Sequence, residues 1–210
     1  MTFNRSLKFM AHIDPKMLWL TSFLLISNLA MAIEEPKFNL IEKEGSFEIR
    51  LYAPKMIAEV VVTGNLQESS NKGFRSIADY IFGNNTAASG TQEKISMTAP
   101  VVMKAETTST KEANNGWRMY FVMPSQYTHS TIPRPNNPNV SLREIGETKV
   151  AVLRFSGLVN EEKIAKKTRE LTQWMVSKNL RPLSDPELAR YNPPWTLPFL
   201  RRNEILIEVE

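Results

Sequence analysis

The 210-residue chain contains no cysteine. That removes disulfide frameworks, thiolate metal sites, cysteine nucleophiles and thiol redox motifs, because each needs sulfur as the bond-forming atom. Histidine is nearly as scarce. His12 and His129 are the only two, too few for a multi-histidine metal site or for a hydrolase that relays protons through imidazole. Glycine is low at 8 residues, and with 42% hydrophobic and 23% charged residues the composition is that of a folded globular chain rather than a disordered or fibrous one. Long apolar runs are missing as well, with one partial exception near the start.

That exception has the three parts of an export signal. Arg5, Lys8 and Lys16 are basic, residues 17–32 run largely apolar through Leu18, Trp19, Leu20, Phe23, Leu24, Leu25 and Ile26, and Ala30-Met31-Ala32 closes the run with a small-x-small pattern. The stretch is interrupted by Thr21, Ser22, Ser27 and Asn28 and is short for about 30 Å of hydrocarbon. The expectation is cleavage after Ala32, leaving residues 33–210 as one domain. Membrane contact is expected only if the segment stays uncleaved as an anchor. Loss of residues 1–32 removes three basic residues and one acidic one (Asp14), lowering the net charge from +4 to +2. A near-neutral chain with interspersed charges has no cationic footprint for DNA or RNA. An exported protein without cysteine suits a bacterial periplasm, where disulfides are available but not obligatory.

In the remaining chain, residues 47–52 and 56–62 are strand-like, separated by Ala53-Pro54 as a break or hairpin connection. Residues 66–82 place Phe74, Ile77, Ala78, Ile81 and Phe82 at helical spacing, with Asn71, Lys72, Arg75 and Asp79 on the other side, which predicts an amphipathic helix. Residues 95–105 and 117–123 read as strands joined by a mobile Thr/Ser/Asn-rich connection, and the prolines of 124–138 predict an extended loop carrying His129. Strands are expected again at 140–145 and 150–155. Asn160 then caps a helix to about residue 178 with an inner stripe of Ile164, Thr168, Leu171, Trp174 and Met175, and a last strand covers 205–209.

The two helical units are related at a spacing of 93 residues: Ile49/Leu142, Arg50/Arg143, Ile57/Val150, Ala58/Ala151, Val62/Phe155, Thr63/Ser156, Gly64/Gly157 and Glu68/Glu161. Each half reads as hairpin, Thr/Ser-Gly, helix, hairpin. Two such halves must bury their apolar stripes together, and the compact solution is an α+β fold: a curved antiparallel sheet or open barrel flanked by two helices. Pseudo-twofold halves also favour a cleft where helices and sheet meet.

At Lys94-Ile95-Ser96-Met97-Thr98-Ala99-Pro100-Val101, and again at Tyr191-Asn192-Pro193-Pro194 followed by Arg201-Arg202-Asn203-Glu204-Ile205, the chain resembles the SOUL/heme-binding protein family over about residues 36–210. The resemblance implies a distorted antiparallel β-barrel of two pseudo-symmetric halves flanked by two α-helices, similar also to bacterial effector-binding domains. It further implies binding of heme or another tetrapyrrole as a ligand rather than a catalytic cofactor. The porphyrin is expected against the first helix and the loop before the last strand. A porphyrin is a flat apolar plate with two carboxylates, so it needs apolar walls and cations at the rim. Phe74, Ala78, Trp195, Leu197 and Phe199 are the candidate walls, and Asn71, Lys72, Arg75, Arg201 and Arg202 the candidate rim. The bland alternative is that the apolar residues are core and the cations a solvated face; only convergence on one cleft separates the two.

Axial iron ligands are few. His129 lies in the proline-rich loop, where a solvent-exposed surface role is expected and ligation is the lesser alternative. Met97, Met103, Met119 and Met123 read as packing, and no histidine lies in or near the first helix. Reversible hydrophobic binding without a bond to iron is therefore favoured. No catalytic residues are expected: the Thr98 hydroxyl has no neighbouring base in sequence, Glu34-Glu35 follows the cleavage point, and Glu161-Glu162 sits in a helix's first turn, where the helix dipole favours negative charge. The leading expectation is an exported, non-enzymatic tetrapyrrole carrier or buffer with a hydrophobic cleft. A binding module for another flat apolar effector, an interaction domain of the cell envelope and, last, a small hydrolase stand as alternatives.

Overall fold

A computed structural model describes residues 33–106 and 116–210. The export-signal reading of residues 1–32 and the mobile connection at residues 107–115 lie outside the described residues. The chain order is β1 (Phe38–Glu44), β2 (Phe47–Tyr52), β3 (Lys55–Thr63), α1 (Leu66–Ile81), β4 (Asn85–Thr86), β5 (Val101–Glu106), β6 (Gly116–Val122), β7 (Arg134–Pro135), β8 (Ser141–Ile145), β9 (Thr148–Phe155), α2 (Glu161–Ser177), β10 (Glu187–Arg190) and β11 (Asn203–Glu208). No described helix is long and apolar enough to cross a membrane.

Nine strands form one curled antiparallel sheet in the order β1-β2-β9-β11-β10-β5-β6-β3-β8, and β4 pairs with β7 apart from it. Outward from the central β10·β5 pair, β11 matches β6, β9 matches β3 and β2 matches β8, which is the pseudo-twofold relation expected from the repeat. The hairpin reading of 47–62 is corrected, however. β2 pairs with β9 of the other half and β3 with β8, so each half lends its first strand to the other. Pro54 has no N–H with which to close a tight hairpin, and the Ala53 N–H donates instead to Lys37 O. Within its own strands each half forms a three-stranded run, β3-β6-β5 in the first and β9-β11-β10 in the second.

Alternation along the strands sorts the core into layers. Met56, Ala58, Val60, Met119 and Phe121 pack under α1, while Ala151, Leu153, Ile205 and Ile207 pack under α2. The intervening Ile57, Val102, Tyr120, Val150, Val152, Ala189 and Leu206 meet in a third cluster without helical members. Residues from strands near both edges touch in that cluster, so the sheet curls toward it, forming a half-barrel with both helices on the convex face.

Both helices start where the sequence places them. Asn65 and Asn160 accept at their side chains from the Glu68 and Lys163 N–H groups, at 3.0 and 2.9 Å, satisfying donors that the helix leaves free. Gly64 and Gly157 precede them with φ of +131° and +102°, a conformation that side chains resist; the repeated glycine is the price of turning from strand to helix twice. The strand predicted over 95–105 begins only at Val101, because Pro100 lacks a ladder donor. Of the four methionines read as packing, Met103, Met119 and Met123 are buried but Met97 is 41% exposed, since it sits in that unpaired stretch. Gly73 lets α1 approach the sheet: a Cβ there would stand 3.0 Å from the Met119 sulfur and 3.2 Å from its Cβ. Gly73→Val is expected to destabilise the fold by about 1–3 kcal/mol through overpacking, measured as a lowered urea midpoint with unchanged slope.

Candidate functional site

On the convex face one row of residues leads from α1 to the loop before β11. Phe121 of β6 lies opposite Val101 of β5, and Val101 opposite Arg190 of β10. Phe74 of α1 packs its ring on Phe121 with centroids 5.6 Å apart. Two interstrand steps of about 4.8 Å therefore separate the Phe121 and Arg190 backbones, roughly 10 Å. Arg190 Nη2 donates to Ser70 Oγ, one helical turn before Phe74, and to Met103 Sδ. The strand end, the helix and the start of the 191–202 loop are thus tied at one place.

The loop itself is held by its backbone. Arg201 donates from Nε to Thr196 O at 2.8 Å and from Nη2 to Pro194 O, Leu200 N–H donates to Leu197 O, and Gly157 N–H donates to Pro198 O. With the main chain so occupied, the side chains point outward: Trp195 is 82%, Phe199 70%, Leu200 62% and Leu197 55% exposed. Large apolar groups held in water on an ordered loop mark a binding surface.

The structure divides the predicted site residues. Phe74 is half-exposed on the α1 side, Asn71, Lys72 and Arg75 are exposed on the same helix, and Trp195, Leu197 and Phe199 are exposed on the loop. Ala78 is buried beneath the helix and leaves the wall. Arg201 stays with the loop, but Arg202 turns to the concave face, because successive side chains of an extended chain alternate. There Arg202 pairs with Glu204 and Glu35, each at 2.9 Å, and its guanidinium lies 3.6 Å from the Tyr191 ring centroid. His129 is exposed in the turn at residues 128–131. The predicted wall residues Phe74, Trp195, Leu197 and Phe199 are open to solvent, one on the helix and three on the loop. Two concavities of about 120 and 70 Å³ lie elsewhere, one lined by Glu34, Lys37, Pro54 and Thr98, the other by Tyr52, Lys55, Tyr120 and Glu187. Both are far below the roughly 300–1,000 Å³ that encloses a drug-sized ligand.

Sequence reasoning missed the polar interior of the curl. Arg50, 2% exposed, donates to both carboxylate oxygens of Glu204, itself 0% exposed, at 2.8 and 3.0 Å, and also to Glu48 and the Tyr52 hydroxyl. Tyr191 donates to Glu204 at 2.8 Å. Burial alone pushes the Glu204 carboxyl up, but the hydrogen bonds and charge of Arg50, with Arg202 and Tyr191, outweigh it and hold the carboxyl below its ordinary range. Further along the same face, burial pushes Glu187 up despite a 2.6 Å hydrogen bond from Tyr120 and the charges of Lys104 and Lys55. The signal was present in the period-two run Glu48, Arg50, Tyr52, which places three polar-tipped side chains on one strand face.

The family model for the SOUL heme-binding protein matches residues 33–208. No curated protein matches the chain. Solved structures share its fold: the EcmrR C-terminal domain, at 14% identity and TM-score 0.58, over 78% of this chain and 96% of that one; a hydrolase from Listeria innocua, at 12% and 0.54, over 81% and 94%; and an EcmrR–DNA complex, at 14% and 0.56, over 80% and 59%.

Glu204→Gln would leave the buried Arg50 charge without its main partner, and a loss of about 3–5 kcal/mol is expected. Because the folded carboxyl titrates below its unfolded value of about 4.3, this stabilisation is present above that pH and fades as pH falls through the folded value. Urea midpoints measured across the acid range are expected to drop more steeply for wild type than for Glu204→Gln.

Proposed function

Because the chain belongs to the SOUL heme-binding protein family, we propose that it is an exported tetrapyrrole-binding protein that carries or buffers heme without catalysing a reaction. The observation that carries this reading is the exposed Trp195, Leu197, Phe199 and Leu200 surface on a hydrogen-bonded loop, joined through Arg190 to the helix that presents Phe74. One porphyrin face stacks on such a surface, and its carboxylates reach the cations at the margin. Burying roughly 300 Å² of apolar protein surface at about 25 cal/mol/Å² supplies ~7 kcal/mol, against an association cost of about 4–15 kcal/mol. Binding is then reversible unless charge contacts add to it, as suits a carrier. The basic, apolar and small-x-small order of residues 1–32 supports export to a periplasm. The hydrolase name belongs to one fold neighbour and the DNA complex to another, and neither bears on this chain's own chemistry.

The same exposed patch supports a second reading, a docking surface for a cell-envelope protein. Titrating the full chain with hemin and with metal-free protoporphyrin, by Soret absorbance and tryptophan quenching, separates the two. Saturable binding of both is expected, weakened about three- to tenfold by Trp195→Ala through lost stacking and unchanged by His129→Ala. Binding of hemin alone, abolished in His129→Ala, would replace stacking with axial ligation. Absence of saturable binding to either porphyrin would reject the tetrapyrrole reading in favour of the docking surface.

A further inference from the structure

Among the described residues, Arg190 is a cation without an acid. It extends from the end of β10 on the helix-bearing face, as its neighbours show: Leu188 joins the α2 cluster, Ala189 points into the curl, and the Arg190 guanidinium reaches Ser70 and Met103. Among the described residues no carboxylate pairs with it. Its partners are a hydroxyl and a thioether, both met by Nη2 alone. A guanidinium has five N–H donors, so those on Nε and Nη1 have no protein acceptor among the described residues. Those nitrogens are also absent from the fully buried, unpaired side-chain atoms, which are Ser69 Oγ and Thr168 Oγ1, so they face space that solvent reaches.

The arginines of the concave face are treated differently. Arg50 is joined to Glu48 and Glu204, Arg118 to Glu59 and Glu106, Arg143 to Glu59 and Arg202 to Glu35 and Glu204. Where this fold buries a guanidinium for structure, it supplies a carboxylate. Beside Arg190 it supplies a second cation instead: burial first, and then the charge of Arg201, push the Arg190 guanidinium below its ordinary value. Unpaired charge held partly out of water is costly, and a carboxylate arriving from outside would relieve it.

Resting on the tetrapyrrole reading, we propose that Arg190 is the anchor for a ligand carboxylate, taking a porphyrin propionate through a free Nε or Nη1 donor while the ring lies across the Phe74 and Trp195 surface. Ser70 and Met103 hold the guanidinium by Nη2 and leave the other two nitrogens to the ligand. Arg201 adds charge from the loop, so an anionic plate is selected over a neutral one of the same shape. Lysine in its place would keep the charge but lose the planar group that Ser70 and Met103 orient.

The test compares protoporphyrin with its dimethyl ester, which has the same ring and no carboxylate, on the full-length protein. Wild type is expected to favour the diacid by about tenfold or more, the scale of a charge-assisted pair. Arg190→Met is expected to remove that preference by weakening the diacid alone, and Arg190→Lys to restore part of it. Melting temperature and circular dichroism report the fold of each variant. Should Arg190→Met fail to fold, the wild-type preference and its partial retention in Arg190→Lys decide the matter. Equal binding of diacid and diester by wild type, or a preference intact in Arg190→Met or fully retained in Arg190→Lys, would overturn the anchor and leave tetrapyrrole binding standing. Binding of neither porphyrin by wild type would overturn both.

Discussion

The buried pair between Arg50 and Glu204 is the constraint on which the rest of the architecture hangs. It joins β2, lent by the first half of the chain, to β11, the last strand of the second, across the intervening β9. A guanidinium 2% exposed and a carboxylate 0% exposed are tolerable only because each is fully used: Arg50 reaches Glu48, Tyr52 and both oxygens of Glu204, and Glu204 also receives Tyr191 and Arg202. An apolar pair of the same volume would fill the space as well. What the ion pair adds is direction, since a slip of β2 by one residue would turn Arg50 to the other face and take from Glu204 its main cation.

This filling of the concave side leaves the convex side as the more open one. The curl is packed with tyrosines, carboxylates and guanidinium groups that satisfy one another, and its remaining space is small. The convex side carries two helices and a loop whose backbone bonds are spent internally, and among the described residues its apolar side chains stay uncovered. Fold neighbours at 12–14% identity share the scaffold and leave the chemistry to the individual chain.

Much of this was legible in residue order. Asparagine caps, the 3.6-residue periodicity of both helices and the glycine that turns strand into helix are local features, and local physics fixes them. The repeat at 93 residues exposed the pseudo-twofold because both halves solve the same turning problem at Gly64 and Gly157. Strand exchange was not legible. A two-residue link such as Ala53-Pro54 looks the same whether its strands pair with each other or with distant partners, and pairing is decided by tertiary context. The division between Arg201 and Arg202 follows from alternation along an extended chain, yet two adjacent arginines read as one patch until the strand direction is known. Arg190 escaped notice because β10 is only four residues long and a charged residue at a strand end reads as solvated.

The exchanged strands also set the order in which the chain is able to fold. Arg50 and Glu204 are 154 residues apart, and β2 has no sheet partner in its own half beyond the exposed β1. Neither half holds all of its sheet neighbours until the other exists, so the nine-stranded sheet closes only once β11 has been made. Closing such distant contacts carries an entropy cost that local helices do not, and chains dominated by such pairings fold slowly. Until β11 is made, only the first half has its three-stranded run, β3-β6-β5, and the second waits for its middle strand.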